Sequence, residues 1–181
     1  TSATQTYSGA VTLTANTTLT STGAAITAST IDGAYDLTIA SGAAQSLTSA
    51  IGSSTALTSI NVSTTSGNLT LGNNIIVTGT GTDAMIFNAG SSTAAGTTTG
   101  GNIIISSSPT FTTGSGGRMT YYTGSVSGSA GLTSLIGLMN MVGQTVAQRW
   151  DGTMRYDVTI TDQRTEAGNG VRTSKTNQGQ G

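Results

Sequence analysis

Apolar and small polar residues alternate along most of the first two thirds of the chain. Val11 and Leu13 are separated by one Thr, and Ile60 and Val62 by one Asn. A period of two turns one set of side chains inward and the other towards solvent, which is typical of a β-strand. The outer positions hold many Thr residues, whose β-branched side chains suit an extended backbone. The pattern predicts nine short strands, at 10–14, 18–21, 25–28, 36–40, 59–63, 68–71, 74–78, 84–88 and 102–106.

The spacing of these strands predicts how they pack. They recur at intervals of roughly 10 to 28 residues, with Gly and Asn between them and no helical crossover. Short repeating strands of this kind predict a solenoid, in which each coil of about 20 residues stacks on its neighbour. The narrow core of such a coil has little room for large side chains, in agreement with an aromatic content of 4%. We therefore expect an all-β protein with a β-solenoid body at 1–130, in which Asn or Thr at the corners form ladders along the axis.

A more apolar segment follows the body, at 131–147. The i, i+3, i+4, i+7 spacing of one helix face is followed by Leu132, Leu135, Ile136, Met139 and Val142, whereas Leu138 and Met141 fall outside it. Three interpretations remain open: ordinary core, a short helix or loop that plugs the end of the solenoid, or a subunit contact that uses flexible Met side chains.

Residues 148–181 form a charged C-terminal module. Asp151-Gly152 lies between two short runs and predicts a β-hairpin with a type I′ turn. The next segment, 154–161, alternates cleanly, with Met154, Tyr156, Val158 and Ile160 on one side and charged or Thr residues on the other. It predicts an antiparallel strand that pairs either within its own chain or with the sheet edge of a neighbour. The polar tail at 166–181 is either disordered or ordered along a partner surface.

Composition removes several function classes. The 181 residues include no Cys, which excludes a disulfide framework and a thiolate zinc site, and no His, which excludes the usual Ser-His-Asp triad. A formal net charge of −1 excludes a globally basic nucleic-acid binder. No apolar run reaches the roughly 18 residues that a membrane-spanning helix requires.

The few acidic residues of the body do not form an enzyme-like set. Residues 1–117 contain three charged residues, Asp32, Asp36 and Asp83, and no Lys or Arg. A glycan-cleaving β-helix needs several acids with basic residues on one face. Asp32 precedes Gly33 and Asp36 begins a predicted strand, so turn chemistry explains both. We expect no enzymatic activity, no cofactor and no bound metal.

The beginning of the sequence bears on localisation. Residue 1 is Thr, and no basic region followed by an apolar region comes after it. This indicates either a mature product whose leader was removed or a fragment of a longer protein. A surface rich in Ser, Thr, Gly and Asn suits a secreted or surface-exposed β protein, so we expect an extracellular or cell-surface location.

Two segments carry a resemblance to a known family. Residues 4–23 read TQTYSGAVTLTANTTLTSTG, and residues 31–42 read IDGAYDLTIASG. They resemble repeats of the filamentous-haemagglutinin-type exoproteins, bacterial adhesins exported by two-partner secretion or autotransporter routes. Residues 121–137 are similar to segments near the ends of such arrays. The resemblance covers about 4–137 and implies a right-handed parallel β-helix, an extracellular setting and an adhesive or structural role, and it supplies no catalytic residues.

These observations lead to two functional hypotheses. Residues 1–14 enter a β repeat directly, without a clear polar cap, and an uncapped end can accept the end of the next copy. Such a head-to-tail contact does not close, so it produces a filament. We expect a structural subunit of an extracellular homopolymeric filament, pilus-like or matrix-forming, whose partner is a second copy of itself. The alternative is a fragment of a non-polymerising adhesin stalk, a binding module for a host surface or glycan. The predicted subunit interface comprises Leu135, Ile136, Leu138, Met139, Met141, Trp150, Met154, Tyr156, Val158, Ile160 and Arg164.

Overall fold

The described part of the chain is almost entirely β-structure. The computed structural model describes residues 1–94, 96–135, 144–150 and 156–162, the last two ranges by their backbone alone. One helical turn lies at 132–135, and each of the nine predicted strands overlaps an observed one. The strands are β1 Gln5–Tyr7, β2 Val11–Thr12, β3 Thr17–Ser21, β4 Ile26–Ala28, β5 Ile31–Asp32, β6 Asp36–Ser41, β7 Gln45–Leu47, β8 Ser59–Thr64, β9 Leu69–Leu71, β10 Ile75–Ile76, β11 Met85–Asn88, β12 Ile103–Ile105, β13 Phe111–Thr112, β14 Arg118–Thr123, β15 Gln144–Trp150 and β16 Tyr156–Asp162.

Parallel pairing stacks these strands into three faces. The wide face is a seven-stranded sheet in the order β3-β6-β8-β11-β14-β16-β15. The second face contains the pair β1-β4 and the sheet β7-β9-β12, and the third contains the pairs β2-β5 and β10-β13. Isolated bridges from Ile51 to Ile31 and to Ile75 connect the two pairs of the third face. The chain visits the three faces in turn and forms a β-solenoid of about four turns, which confirms the predicted fold.

Coil length grows along the chain. The column Leu19, Ile39, Val62, Phe87 and Tyr121 of the wide face advances by 20, 23, 25 and 34 residues. Much of the last increase comes from the connection between β11 and β12. Its end is held by the buried Asn102, whose Nδ2 donates to the carbonyls of Thr97 and Gly100. The expected 20-residue coil therefore describes only the first turns.

Inward-facing side chains from all three faces form one continuous core. Ile60 of the wide face, Leu69 of the second and Ile75 of the third are each 0% exposed. Among the described residues, fully covered aromatic rings occur only towards the C-terminal end, where the centroid of Phe87 lies 5.4 Å from that of Tyr121 and 5.8 Å from that of Phe111. The low aromatic content thus reflects a core that is aliphatic over most of its length.

Asn side chains at the corners connect successive coils. The Oδ1 atoms of Asn16, Asn68 and Asn74 accept hydrogen bonds from backbone N–H groups one coil further on, at 2.8 to 3.0 Å. The corner ladder therefore forms between side chains and backbone in these three cases, rather than between stacked Asn side chains. Such bonds satisfy N–H groups where the turn of the chain interrupts the strand ladder.

Gln45 replaces the strand ladder between β4 and β7. Its side chain is 1% exposed; Oε1 accepts a hydrogen bond from the Ile26 N–H at 2.8 Å, and Nε2 donates to the Ile26 carbonyl. One side-chain amide thus satisfies both backbone groups of a buried residue. This contact links the two parts of the second face.

We predict a large difference between two identical substitutions on adjacent strands. Ile60→Ala removes a fully buried side chain and should lower the free energy of unfolding by about 2–5 kcal/mol. Ile86→Ala, at a half-buried outward position of β11, should lower it by about 1 kcal/mol or less. Urea denaturation monitored by circular dichroism measures both free energies of unfolding. Equal losses of stability would contradict the assignment of Ile60 as inward and Ile86 as outward on the wide face.

We also predict that Gln45 is essential to the second face. Gln45→Leu leaves the N–H and carbonyl of Ile26 buried without partners, and each group costs about 1–3 kcal/mol. Gln5→Leu is the matched control, because Gln5 is registered with Ile26 on the outermost strand β1 and is only half-buried. Thermal unfolding should show a much lower Tm for the Gln45 variant than for the Gln5 variant. A near-equal Tm would refute the bridging role.

Candidate assembly surface at the ends of the solenoid

The first coil presents three strand edges. β1, β2 and β3 are each the outermost strand of their sheets, so each is paired on one side only. One inward residue of each strand, Tyr7, Val11 and Leu19, packs against the core but stays half-buried. The counterparts of Val11 and Leu19 one coil further on are covered, since Ile31 and Ile39 are each 1% exposed, whereas Ala28, the counterpart of Tyr7, is itself half-buried. We call the outer edges of β1–β3 together with these three side chains the first-coil edge.

Residues 1–3 cover part of this edge. The Thr22 N–H donates to the Thr1 carbonyl at 2.7 Å, and the Thr1 ammonium donates to the Thr20 carbonyl at 3.3 Å. The Ser21 hydroxyl donates to the carbonyl of Ala3 at 3.0 Å. The C-terminal half of β3 therefore has a neighbour, whereas within the described residues no strand lies beside the outer side of Thr17–Leu19.

An antiparallel hairpin ends the wide face on the opposite side. β16 pairs antiparallel with β14, from Arg118↔Thr161 to Thr123↔Tyr156, and β15 pairs antiparallel with β16. This confirms the predicted hairpin. A two-residue turn at 151–152 would pair Trp150 with Thr153, but the register pairs Trp150 with Tyr156. The predicted turn residues themselves, Asp151 and Gly152, lie outside the described residues.

The second face is covered at this end by the segment that follows β14. The Ile105 N–H donates to the Ala130 carbonyl at 2.8 Å, and the Ile103 N–H donates to the Thr123 hydroxyl at 3.1 Å. Thr123 and Ser129 are buried and share a 2.6 Å hydrogen bond between their hydroxyls. These contacts give two N–H groups of β12 partners within the chain, whereas among the described residues no strand lies beside the outer sides of β1 and β2.

The predicted interface residues fall into three groups. Leu135 lies in the chain's own core with 7% of its surface exposed, so it offers little area to a neighbour. Trp150, Tyr156, Val158 and Ile160 lie on the two hairpin strands, whose backbone alone is described. The remaining predicted residues lie outside the described residues: Ile136, Leu138, Met139, Met141, Met154 and Arg164.

The register of the hairpin extends the columns of the solenoid. Ile160 and Val146 occupy the same register position as the buried Met119. Val158 continues the column of Tyr121, and Tyr156 pairs with Thr123. The alternation predicted for 154–161 thus coincides with the inward columns of the wide face. In this structure the C-terminal strand pairs within its own chain, one of the two pairings that the sequence left open.

Two of the three acidic residues of the body have structural partners. Asp32 Oδ1 accepts hydrogen bonds from the N–H groups of Ser54 and Thr55 at 2.8 and 3.2 Å. Asp36 Oδ1 accepts one from the Ser59 hydroxyl at 2.7 Å. The described residues contain no group of three or more His, Cys, Asp or Glu side chains that could hold a metal ion. The two carboxylates therefore connect neighbouring coils.

Tyr121 carries the one strongly shifted pKa within the described residues. Its side chain is 0% exposed, and burial raises the pKa of the phenol far above its ordinary value. Its hydroxyl has no hydrogen-bond partner in the described part of the chain. The ring stacks on Phe87, so the contribution of Tyr121 is hydrophobic packing rather than acid–base chemistry.

Comparisons with known proteins assign no family. No protein-family model, no curated protein and no solved structure matches the chain. Among the described residues, no helix is long and apolar enough to cross a membrane. The geometry of the solenoid ends is therefore the main structural basis for a functional proposal, and the resemblance to exoprotein repeats remains an expectation.

We predict that the Asp32 carboxylate stabilises the stacking of coils. Asp32→Ala removes the acceptor for two backbone N–H groups and should cost about 1 kcal/mol, since the site is partly solvated. Asp83→Ala, at an exposed position, should change stability by less than about 0.5 kcal/mol. Chemical denaturation of both variants measures the difference. If Asp32→Ala left the free energy of unfolding unchanged, water would fully replace the carboxylate as the hydrogen-bond acceptor.

Proposed function

We propose that this protein is the structural subunit of an extracellular homopolymeric filament assembled head to tail. The observation that carries the proposal is the first-coil edge, where all three faces present an outermost strand and a half-buried apolar side chain. Unpaired strand edges are templates for pairing with another chain. A partner that contacts all three faces at once must itself be the end of a solenoid, and the opposite end of a second copy is such a surface.

The two ends of the described rod differ, and this favours a filament over a closed dimer. One end consists of the outermost parallel strands β1–β3, whereas the other carries the β16-β15 hairpin. A contact between two different surfaces of identical copies is heterologous, and it propagates as a filament when the rotation between copies does not close a ring. The proposal therefore follows from the polarity of the solenoid.

The sides of the rod also suit an assembled extracellular polymer. Residues 1–135 contain only four charged side chains, Asp32, Asp36, Asp83 and Arg118. Outward positions of the wide face hold Thr18, Thr38, Asn61 and Ser63. Such hydroxyl and amide groups hydrate the surface without long-range repulsion, so neighbouring filaments can approach closely. Bundled or matrix-forming filaments at a bacterial cell surface are consistent with this surface.

The same edge supports a second candidate function. In a non-polymerising adhesin stalk, further coils of a longer chain would cover β1–β3 instead of a second copy. The partner would then be a host surface or a glycan bound elsewhere on that protein. Both candidates need a solenoid that continues beyond the first coil, and they differ in which molecule supplies the continuation.

We predict that the 181-residue chain polymerises and that a charge at the first-coil edge blocks it. Leu19→Lys places a cation on the half-buried inward position of β3, where stacking would desolvate it. Negative-stain electron microscopy and sedimentation should show filaments of the unmodified chain and monomers of this variant. Asn61→Lys is the matched control, because Asn61 is an exposed outward position of the same face, two strands away from the edge.

The outcomes separate the candidates. Short monomeric rods of the unmodified chain at all concentrations would refute the filament and favour the adhesin stalk. If the Leu19→Lys variant formed as many filaments as the unmodified chain, the first-coil edge would be refuted as the contact between copies. Circular dichroism of both variants verifies that the fold is retained.

A further inference from the structure

We infer that the joint between copies is a parallel β-pair in which β15 of one copy continues the wide face into β3 of the next. This inference rests on the proposed head-to-tail filament and specifies its contact. The juxtaposition that supports it is that β3 and β15 are the two outermost strands of one seven-stranded sheet. The C-terminal hairpin is then an adaptor between two solenoids.

Strand direction is the first argument. The strands β3, β6, β8, β11 and β14 are mutually parallel. β16 is antiparallel to β14, and β15 is antiparallel to β16, so β15 again runs in the direction of β3. If β16 alone followed β14, the last strand of the sheet would run opposite to β3. With both β16 and β15 added, the last strand runs in the same direction as β3 of the next copy, as parallel pairing requires.

Register is the second argument. Thr18, Thr38, Asn61, Ile86 and Thr120 share one outward column of the wide face, and the hairpin continues it through Thr159 to Ala147. The adjacent column, which begins with Thr17 and contains Met119, ends at Val146. A one-residue slip would move every side chain to the other face. The joint therefore pairs Thr17–Leu19 with residues 146–148, with Thr18 opposite Ala147.

The free part of β3 has the length that this pairing needs. Residues 1–3 already lie beside Thr20–Thr22, so the available stretch is Thr17–Leu19. On the second face, the Ile105 N–H already donates to the Ala130 carbonyl, so the β12 edge of the other end is partly occupied. The wide face is the one whose two outermost strands share direction and register, so the inferred backbone pairing between copies is that of the wide face. Tyr7 and Val11 contribute by packing.

The joint fixes the axial repeat of the filament. Each copy contributes seven strands to the wide face, and neighbouring strands lie about 4.8 Å apart. If β15 pairs directly with β3, successive copies repeat every 34 Å or so, seven spacings of that size. A joint without strand pairing would give a different repeat, because the sheet would be interrupted between copies.

Disulfide crosslinking in the full-length chain tests the joint directly, since the protein contains no Cys. In the double variant T18C/A147C, the two positions of one chain lie six strand spacings apart, about 29 Å, so no internal disulfide can form. Opposite positions in the proposed pair lie about 5 Å apart, within disulfide range. Mild oxidation of the assembled variant should give a ladder of covalent multimers on a non-reducing gel.

The matched control is T38C/A147C. Thr38 is registered with Thr18 but lies one strand further from the joint, about 10 Å from the β15 position and outside disulfide range. It should give no ladder. Single variants T18C and A147C should give no covalent dimers, because neither strand meets its own copy in a head-to-tail filament.

Four results are informative. A ladder specific to T18C/A147C with a repeat near 34 Å in filament images supports the joint. Filaments without that ladder overturn the joint and leave the proposed function intact. Covalent dimers of A147C alone, or of T18C alone, overturn it in favour of two-fold edge pairing. Absence of both filaments and ladder refutes the proposed function itself.

Discussion

In-register parallel pairing between successive coils is the constraint on which the rest of the structure depends. A single coil cannot satisfy its own strand N–H and carbonyl groups, because their partners lie in the coils before and after it. Register also places each inward side chain on the one below, as in the column from Leu19 to Tyr121. Burial and hydrogen bonding are thus satisfied by the same translation along the axis. Where the backbone ladder is interrupted, Gln45 and the corner Asn residues replace it.

This constraint explains how much of the fold could be predicted from sequence. Strands such as β6 and β8 show three or more alternating positions, so a period of two identifies them. β5 and β13 have two residues each, too short for any alternation, and their existence depends on neighbouring coils. β7 was missed because a buried Gln occupies an inward position, where a polar residue argues against a core strand. β14 does not show a clean period of two, because Met119, Thr120 and Tyr121 are buried in succession.

The candidate site was predictable only in outline. The sequence indicated an uncapped first coil and a C-terminal hairpin, but the contact residues could be predicted from it only by their apolar character. Leu135 proved to be core, since the helical turn at 132–135 packs inward. Leu19, Tyr7 and Val11 were not selected, because nothing local distinguishes a terminal coil from an internal one. Their partial exposure arises from the position of the coil in the stack, which is a property of the whole fold.

The asymmetry between the two ends gives the solenoid its direction. One end keeps the outer edges of β1 and β2 and part of that of β3, while on the other the chain turns back on the wide face and gives two N–H groups of β12 partners on the second face. A cap that only blocked pairing would need neither a continued register nor a restored strand direction. Here the hairpin preserves both, because β15 repeats the direction of β3 and its residues continue the columns of the coils. A terminal element with these two properties extends the sheet that it ends, and this is the physical reason to regard it as an adaptor rather than a cap.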